Sequence, residues 1–148
     1  MLASVRDVTF GQNVRIVEPC NLYQCDIGDD CFIGPFVEIQ TGVRIGPRTK
    51  IQSHTFVCEL VEIGADCFVG HGVMFINDDL ARGGPAGGDR NAWRSTRIGD
   101  RVSIGSNATM LPVTVCSGAV IGAGAVVTRD IDKPGVYAGS PARRLRLL

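Results

Sequence analysis

The chain has 148 residues, which is the usual length of one domain. Its 15 basic and 15 acidic side chains give zero net charge, which argues against broad nucleic-acid binding. Hydrophobic residues make up 45% of the chain, too many for a disordered protein, yet no apolar run is long enough to cross a membrane. Residues 1–20 contain no signal-peptide core. We therefore expect a single cytoplasmic domain over residues 1–148, with no nucleic-acid or membrane partner.

The glycine and cysteine contents are both unusual. There are 19 glycines but only 6% aromatic residues, so the core must form with few large rings. The six cysteines form no C-x-x-C pair, which argues against a zinc site and against a disulfide framework. We predict reduced, mostly buried thiols at Cys20, Cys25, Cys31, Cys58, Cys67 and Cys116.

An apolar residue recurs at every sixth position. The repeat starts with Phe10, Ile16 and Leu22, slips by one residue, and continues through Ile27, Ile33, Ile39, Ile45, Ile51, Val57, Ile63, Val69 and Phe75. It returns at Ile98, Ile104 and Met110 and, after another one-residue slip, at Val115, Ile121 and Val127. Glycine often follows the apolar residue, and the fourth residue after it is small or β-branched. This period predicts three short strands per coil of about 18 residues, with the coils stacked as parallel strands.

The repeat over residues 10–131 resembles the [LIV]-G-x-x-x-x hexapeptide of the left-handed parallel β-helix acyltransferases. The resemblance implies an all-β fold, a left-handed parallel β-helix of hexapeptide repeats, and a homotrimer. It also implies that acetyl-CoA is the co-substrate.

Four polar side chains precede the point where the repeat breaks. Glu59 and Asn77 are 18 residues apart and should stack on successive coils, and His54 and His71 should lie on the same face, one coil apart. None of the four occupies an inward position. We expect them to project from adjoining faces near the base of the following loop, where His could accept a proton.

Residues 78–96 interrupt the period and form a long loop with the only tryptophan, Trp93, near its end. A loop of this length in a compact domain is usually functional or disordered. The functional interpretation is that it reaches a neighbouring subunit and closes a substrate site. The alternative is an excursion with no function.

The segments KIQSHTFVCELVEIG and FVGHGVMFIND resemble the 3-amino sugar N-acetyltransferases, which act on nucleotide-linked sugars. That resemblance implies working roles for Asn77 and Asp78, with His54 at a polar position of the same motif. We assign all three to catalysis: Asn77 positions the amine or its ring hydroxyl, and His54 or Asp78 takes the proton. We assign His71, Glu59 and Trp93 to substrate binding. The G-H-P loop histidine of the galactoside and maltose acetyltransferases is absent, and two histidines 17 residues apart do not match the three zinc ligands of the carbonic anhydrases. No metal is expected.

The C-terminal region resembles the coenzyme A-binding end of the same family. The small or polar residues assigned there are Gly105, Ser106, Ala108, Ala123 and Thr128, and the basic ones are Arg129, Lys133, Arg143 and Arg146. Met110-Leu111-Pro112-Val113-Thr114 is one residue shorter than the family pattern, which leaves the local strand register open. Within the tail, residues 132–148, Ser140-Pro141 predicts the start of a short terminal helix.

Together these features predict an acetyl-CoA-dependent N-acetyltransferase that acts on an amino group of a nucleotide-linked sugar. Two alternatives stay open. One is an O-acetyltransferase of the same fold that acts on a sugar hydroxyl, and the other is a β-helix that binds or scaffolds without catalysis.

Overall fold

The computed structural model describes residues 4–148, which wind into a parallel β-helix of short strands. In chain order the strands are β1 (Val5–Arg6), β2 (Thr9–Phe10), β3 (Arg15–Ile16), β4 (Asn21–Tyr23), β5 (Asp26–Ile27), β6 (Phe32–Ile33), β7 (Glu38–Ile39), β8 (Arg44–Ile45), β9 (Lys50–Ile51), β10 (Phe56–Val57), β11 (Val61–Ile63), β12 (Phe68–Val69), β13 (Met74–Phe75), β14 (Thr96–Ile98), β15 (Ser103–Ile104), β16 (Thr109–Met110), β17 (Thr114–Val115), β18 (Val120–Ile121), β19 (Val126–Val127), β20 (Gly135–Ala138) and β21 (Arg143–Leu147). One 3₁₀ turn, Arg90–Ala92, lies within the long loop.

Every third strand pairs with the next, which produces three sheets. Sheet A contains β1, β4, β7, β10, β13, β16 and β19; sheet B contains β2, β5, β8, β11, β14 and β17; and sheet C contains β3, β6, β9, β12, β15, β18, β20 and β21. All of these pairs are parallel except β20 with β21. The chain runs from A to B to C in each coil, so we call the turns the A–B, B–C and C–A corners. The predicted β-helix is confirmed.

The apolar residue of each repeat from Leu22 to Val127 is buried in the core, whereas Phe10 is 39% exposed. Ile45, Ile63 and Ile98 are in register on sheet B and are each at most 3% exposed. Stacked aliphatic side chains therefore fill the interior, which explains how a chain with few aromatic residues builds a core.

The buried corner position before a strand holds a small residue, and in several coils this residue also forms a hydrogen bond to the next coil. The Thr49 hydroxyl donates to Gly64 O at 2.7 Å, and the Thr55 hydroxyl donates to Gly70 O at 2.8 Å. Cys31 Sγ and Cys67 Sγ make the equivalent contacts with glycine carbonyls of the next coil, each at 3.1 Å. Thiols and hydroxyls thus satisfy buried carbonyl groups at the same place in the repeat.

The predicted state of the cysteines agrees with this packing. All six are free thiols, five of them are buried and Cys116 is half-buried. Burial raises the pKa of Cys25 to about 11 and that of Cys58 to about 12.

The predicted terminal helix is wrong. Residues 139–142 form a turn, and Arg143–Leu147 form β21, which pairs antiparallel with β20 at the end of sheet C. A helix this short is marginal in water, whereas the edge of β20 offers backbone partners. The one-residue slip near Pro112 does not disturb the sheets, because Ile98 still pairs with Val115 and the A–B corner absorbs the change.

Candidate functional site

The C–A corners of successive coils place polar and small residues in one column. A hydrogen bond of 2.9 Å joins Ser53 Oγ and His71 Nδ1, and Ser106 Oγ accepts the His71 backbone N–H at 3.3 Å. Ala123 holds the same corner position one coil further on, and it is exposed. We call Ser53, His71, Ser106 and Ala123 the corner column. The His71 imidazole is exposed and is held by the Ser53 hydroxyl, while the Ser106 hydroxyl holds its backbone N–H.

From Phe36 onward, the next residue of each C–A corner has a positive φ. His54 (φ 65°) stacks on Phe36 (φ 61°), with ring centroids 4.8 Å apart. Gly72 follows at the same place with φ 64°, where a Cβ atom would lie 2.6 Å from Asn107 Oδ1. His54 therefore contacts an aromatic ring, and among residues 4–148 no side-chain hydrogen bond to its imidazole is found.

The A–B corner holds the remaining predicted site residues. Asn77 Nδ2 donates to Glu59 O at 3.1 Å, and Asn77 O accepts the Arg94 N–H at 2.8 Å. The Glu59 carboxylate forms an ion pair with Arg90, whose guanidinium lies 5.5 Å from the centre of the Trp93 ring. Glu59 and Arg90 also line a groove of about 460 Å³. The loop is therefore anchored to the β-helix beside Asn77.

Asp78 organises the loop itself. Its two carboxylate oxygens accept the backbone N–H groups of Leu80 at 3.1 Å and Ala86 at 2.7 Å. Asp79 pairs with Arg94 at 3.0 Å, and this hydrogen bond holds the pKa of Asp79 below its usual value. Both carboxylates thus hold the loop in shape.

The four polar residues expected near the base of the loop form two groups. Glu59 and Asn77 meet at the A–B corner, which follows the strands of sheet A. His54 and His71 lie at the C–A corner, at the opposite end of those strands. In residues 4–148 no hydrogen bond or ring contact joins either histidine to Asn77 or Glu59.

The predicted cofactor residues lie in two regions, the C–A corners and the C-terminal end of the β-helix. Gly105, Ser106 and Ala123 lie at C–A corners. Ala108 lies at the same corner as Gly105 and Ser106 but is fully buried, with its side chain in the core. Thr128 and Lys133 are exposed in the last coil, and Arg146 is exposed on β21. Arg129 and Arg143 line one cavity of about 160 Å³ at this end of the β-helix.

A groove of about 550 Å³ along sheet B has a different character. Asp26, Arg44, Glu62 and Arg97 alternate in charge across the outer face of this sheet, and Arg97 pairs with Glu62 at 3.2 Å. Opposite charges on neighbouring strands neutralise one another, so this surface does not select a ligand of either sign.

Two contacts of this site were missed at the sequence level, those of Ser53 and of Phe36. The signal was present in the coil length, because a residue about 18 positions earlier lies one coil below. That spacing places Ser53 under His71 and Phe36 under His54.

In residues 4–148, no group of three or more His, Cys, Asp or Glu side chains is arranged to hold a metal ion. The same part of the chain contains no helix long and apolar enough to span a membrane.

Comparison with known proteins identifies the repeat. Residues 24–59 match the bacterial transferase hexapeptide (six repeats), and residues 95–129 match the hexapeptide repeat of succinyl-transferase. The bifunctional protein GlmU of Alkalilimnicola ehrlichii is 30% identical over 95% of this chain. The chain spans only 32% of the length of that relative.

Two solved structures have the same fold. The hexapeptide-repeat acetyltransferase VCA0836 of Vibrio cholerae, complexed with acetyl coenzyme A, is 27% identical with a TM-score of 0.70, covering 82% of this chain and 69% of that one. AntD, an N-acyltransferase of Bacillus cereus in complex with dTDP and coenzyme A, is 22% identical with a TM-score of 0.83, covering 94% and 82%. At 22% identity, the similarity to AntD shows a shared fold and nothing further.

Proposed function

We propose that the chain is a hexapeptide-repeat transferase of the parallel β-helix fold and, more narrowly, an acetyltransferase; the two repeat matches support this. The proposed reaction moves the acetyl group of acetyl-CoA to an amino group of a nucleotide-linked sugar. The observation that carries the proposal is the corner column. In it the Ser53 hydroxyl holds the exposed His71 imidazole, the Ser106 hydroxyl holds the His71 backbone N–H, and small residues lead toward a basic end.

The column offers coenzyme A a path along the C–A corner. Ser106 and Ala123 leave room for the thin pantetheine arm to lie close to the backbone. Beyond them, Arg129 and Arg143 line the terminal cavity, where guanidinium groups suit phosphate. In this arrangement the thioester lies near His71.

His71 is the best-placed proton acceptor of the three candidates. When its Nδ1–H donates to Ser53, Nε2 carries the lone pair that takes the proton from the attacking amine. Both oxygens of Asp78 already accept loop N–H groups, and His54 is stacked on Phe36. The amine nitrogen bonds to the acetyl carbonyl carbon, the C–S bond breaks, and the proton passes through His71 to the departing thiolate.

Asn77 supports the acceptor from the other corner. Its Nδ2 is used by Glu59 O, so its Oδ1 is oriented as an acceptor for an amine N–H. Within one chain, His71 precedes β13 and Asn77 follows it, so they lie at opposite ends of this strand of sheet A. We propose that they meet across the boundary between two subunits of a homotrimer, with the loop and Trp93 reaching the neighbouring C–A corner.

Subunit complementation tests this arrangement. His71→Ala and Asn77→Ala should each lose most activity, and mixed trimers refolded from both should regain part of it, because some sites then hold both native residues. Mixtures that stay inactive although mass spectrometry shows mixed trimers would contradict a shared site.

A panel of acceptors tests the reaction class. Nucleotide-linked amino sugars should be acetylated and their hydroxyl counterparts should not. The exposed, hydroxyl-bound His71 could also activate a sugar hydroxyl, so acetylation of hydroxyl acceptors alone would favour the O-acetyltransferase. Absence of coenzyme A binding in calorimetry would favour a non-catalytic β-helix.

A further inference from the structure

We propose that the N-terminal half of the C–A corner binds the nucleoside diphosphate part of the acceptor, with the base against Phe36 and the diphosphate at His54 and Lys50. This inference rests on the proposed function, because it assigns the half of the acceptor that does not react. It starts from the Phe36–His54 pair, which lies on the same corner as His71 but takes no part in the acetyl transfer described above.

Phe36 is poorly explained as a structural residue. Its side chain is 57% exposed, and it adopts a positive φ that bulky residues rarely accept. Neighbouring coils fill the equivalent corner position with His54, Gly72 and Asn107, so folding does not need an aromatic ring there. An exposed aromatic ring supported by a second ring is a platform that can stack with a planar base. Such stacking accepts purines and pyrimidines alike, because every base has a π-face.

The cation that precedes this platform in the chain is Lys50, four residues before His54. It is exposed on the outer face of β9, immediately before the corner that carries Ser53 and His54. No ion pair to Lys50 is present in residues 4–148, whereas Arg48 in the preceding B–C corner is paired with Asp66 at 2.7 Å. Lys50 and the His54 imidazole are therefore available to the oxygens of a diphosphate.

The order of these groups along the β-helix follows the order of parts in a nucleotide sugar. Phe36, His54 and His71 lie on three successive C–A corners, each separated by roughly 4.8 Å. A base at Phe36 and a diphosphate at His54 place the sugar at His71. Gly72 carries no side chain at the corner position after His54, and Asn107 Oδ1 occupies the space where its Cβ would lie.

Binding measurements without coenzyme A test the proposal. Calorimetry would compare a pyrimidine and a purine nucleoside diphosphate, inorganic pyrophosphate and ribose 5-phosphate with the intact protein. Phe36→Leu should weaken both nucleoside diphosphates about tenfold or more and leave pyrophosphate binding unchanged, since stacking acts on the base alone. Lys50→Gln should weaken the nucleoside diphosphates and pyrophosphate alike.

Two matched variants control for general effects. Phe10→Leu removes another exposed ring, on sheet B, and Arg48→Gln removes another exposed cation, in the preceding B–C corner. Neither should change nucleoside diphosphate affinity. Native affinity in Phe36→Leu, with melting temperature retained, would overturn the base platform, and native pyrophosphate affinity in Lys50→Gln would overturn the phosphate assignment.

Activity separates this proposal from the proposed function. If an amino-sugar phosphate that lacks the base is acetylated as fast as the nucleotide-linked amino sugar, the acetyltransferase proposal holds and the base site at Phe36 is refuted. If the protein binds nucleoside diphosphates through Phe36 but neither binds coenzyme A nor transfers acetyl groups, the base site holds and the acetyltransferase proposal is refuted.

Discussion

The Thr55 hydroxyl connects the stability of the β-helix to the position of His71. It donates to Gly70 O at 2.8 Å and accepts the Val73 N–H at 3.2 Å, and Thr55 is 1% exposed. These two backbone groups are the two ends of the corner that presents His71. Thr55→Val keeps the side-chain volume nearly unchanged but removes both hydrogen bonds.

The expected loss of stability follows from the two groups left unpaired. Each buried N–H or C=O that loses its partner costs about 1–3 kcal/mol, so the variant, with two such groups, should lose about 2–6 kcal/mol of unfolding free energy. Thr55→Ser keeps the hydroxyl and removes one methyl group, which should cost about 1 kcal/mol. The hydroxyl deletion should therefore be clearly more destabilising than the methyl deletion.

Thr49 supplies a matched control at the B–C corner. Its hydroxyl donates to Gly64 O at 2.7 Å and accepts the Cys67 N–H at 3.1 Å, and Thr49 is fully buried. Thr49→Val should lose similar stability, because the contacts match. Only Thr55→Val should also lower kcat/KM, by about tenfold, since it alone displaces the corner that carries the imidazole.

Urea unfolding at one protein concentration measures the stability of each variant, and amide hydrogen exchange measures the opening of the Val73 N–H. Exchange at this position should accelerate in Thr55→Val and not in Thr49→Val. A stability loss below about 0.5 kcal/mol in both valine variants would refute the hydrogen-bond reasoning. Equal loss of activity in both would refute the link between Thr55 and His71.

Three further predictions follow from the loop, the tail and the core. Asp78→Ala removes the acceptor of two loop N–H groups, so limited proteolysis should cut residues 78–96 faster while the unfolding midpoint stays unchanged. Arg143→Ala with Arg146→Ala should raise KM for acetyl-CoA about tenfold or more, and less for dephospho-CoA, without changing the apo melting temperature. Burial raises the pKa of Cys25 from 9.0 to about 11, so the folded chain keeps a proton that the unfolded chain releases. Its unfolding free energy should therefore fall as pH rises from 9 to 11, and fall less in Cys25→Ala.

Each of these has a clear opposing result. Unchanged loop cleavage would leave Asp78 free for a role in proton transfer. Equal KM increases with both donors would mean that the arginines do not contact the 3′-phosphate. Identical pH dependence in Cys25→Ala would show that this thiol titrates alike in the folded and unfolded chain.

The six-residue period determined most of the fold by itself. Inward and outward positions alternate within each short strand, so the identity of Ile45 or Ile98 is enough to assign it to the core. The same reasoning explains why the cysteines were correctly expected to be buried, since Cys31 and Cys67 replace Thr and Val in one slot of the repeat. These features are local and repeat many times, so one irregular unit does not change the result.

Only the tertiary structure decided the end of the chain and the layout of the site. Ser140-Pro141 carries a helix-start signal, but residues 143–147 lie beside the unpaired edge of β20, and edge pairing outweighs a weak local preference. Likewise, Glu59 and Asn77 share one corner while His54 and His71 share another, although all four come from a short stretch of sequence. Each contact depends on which corner a residue reaches after every slip and after the long loop. Ser106, for example, contacts His71 from 35 residues away because the loop lies between their coils.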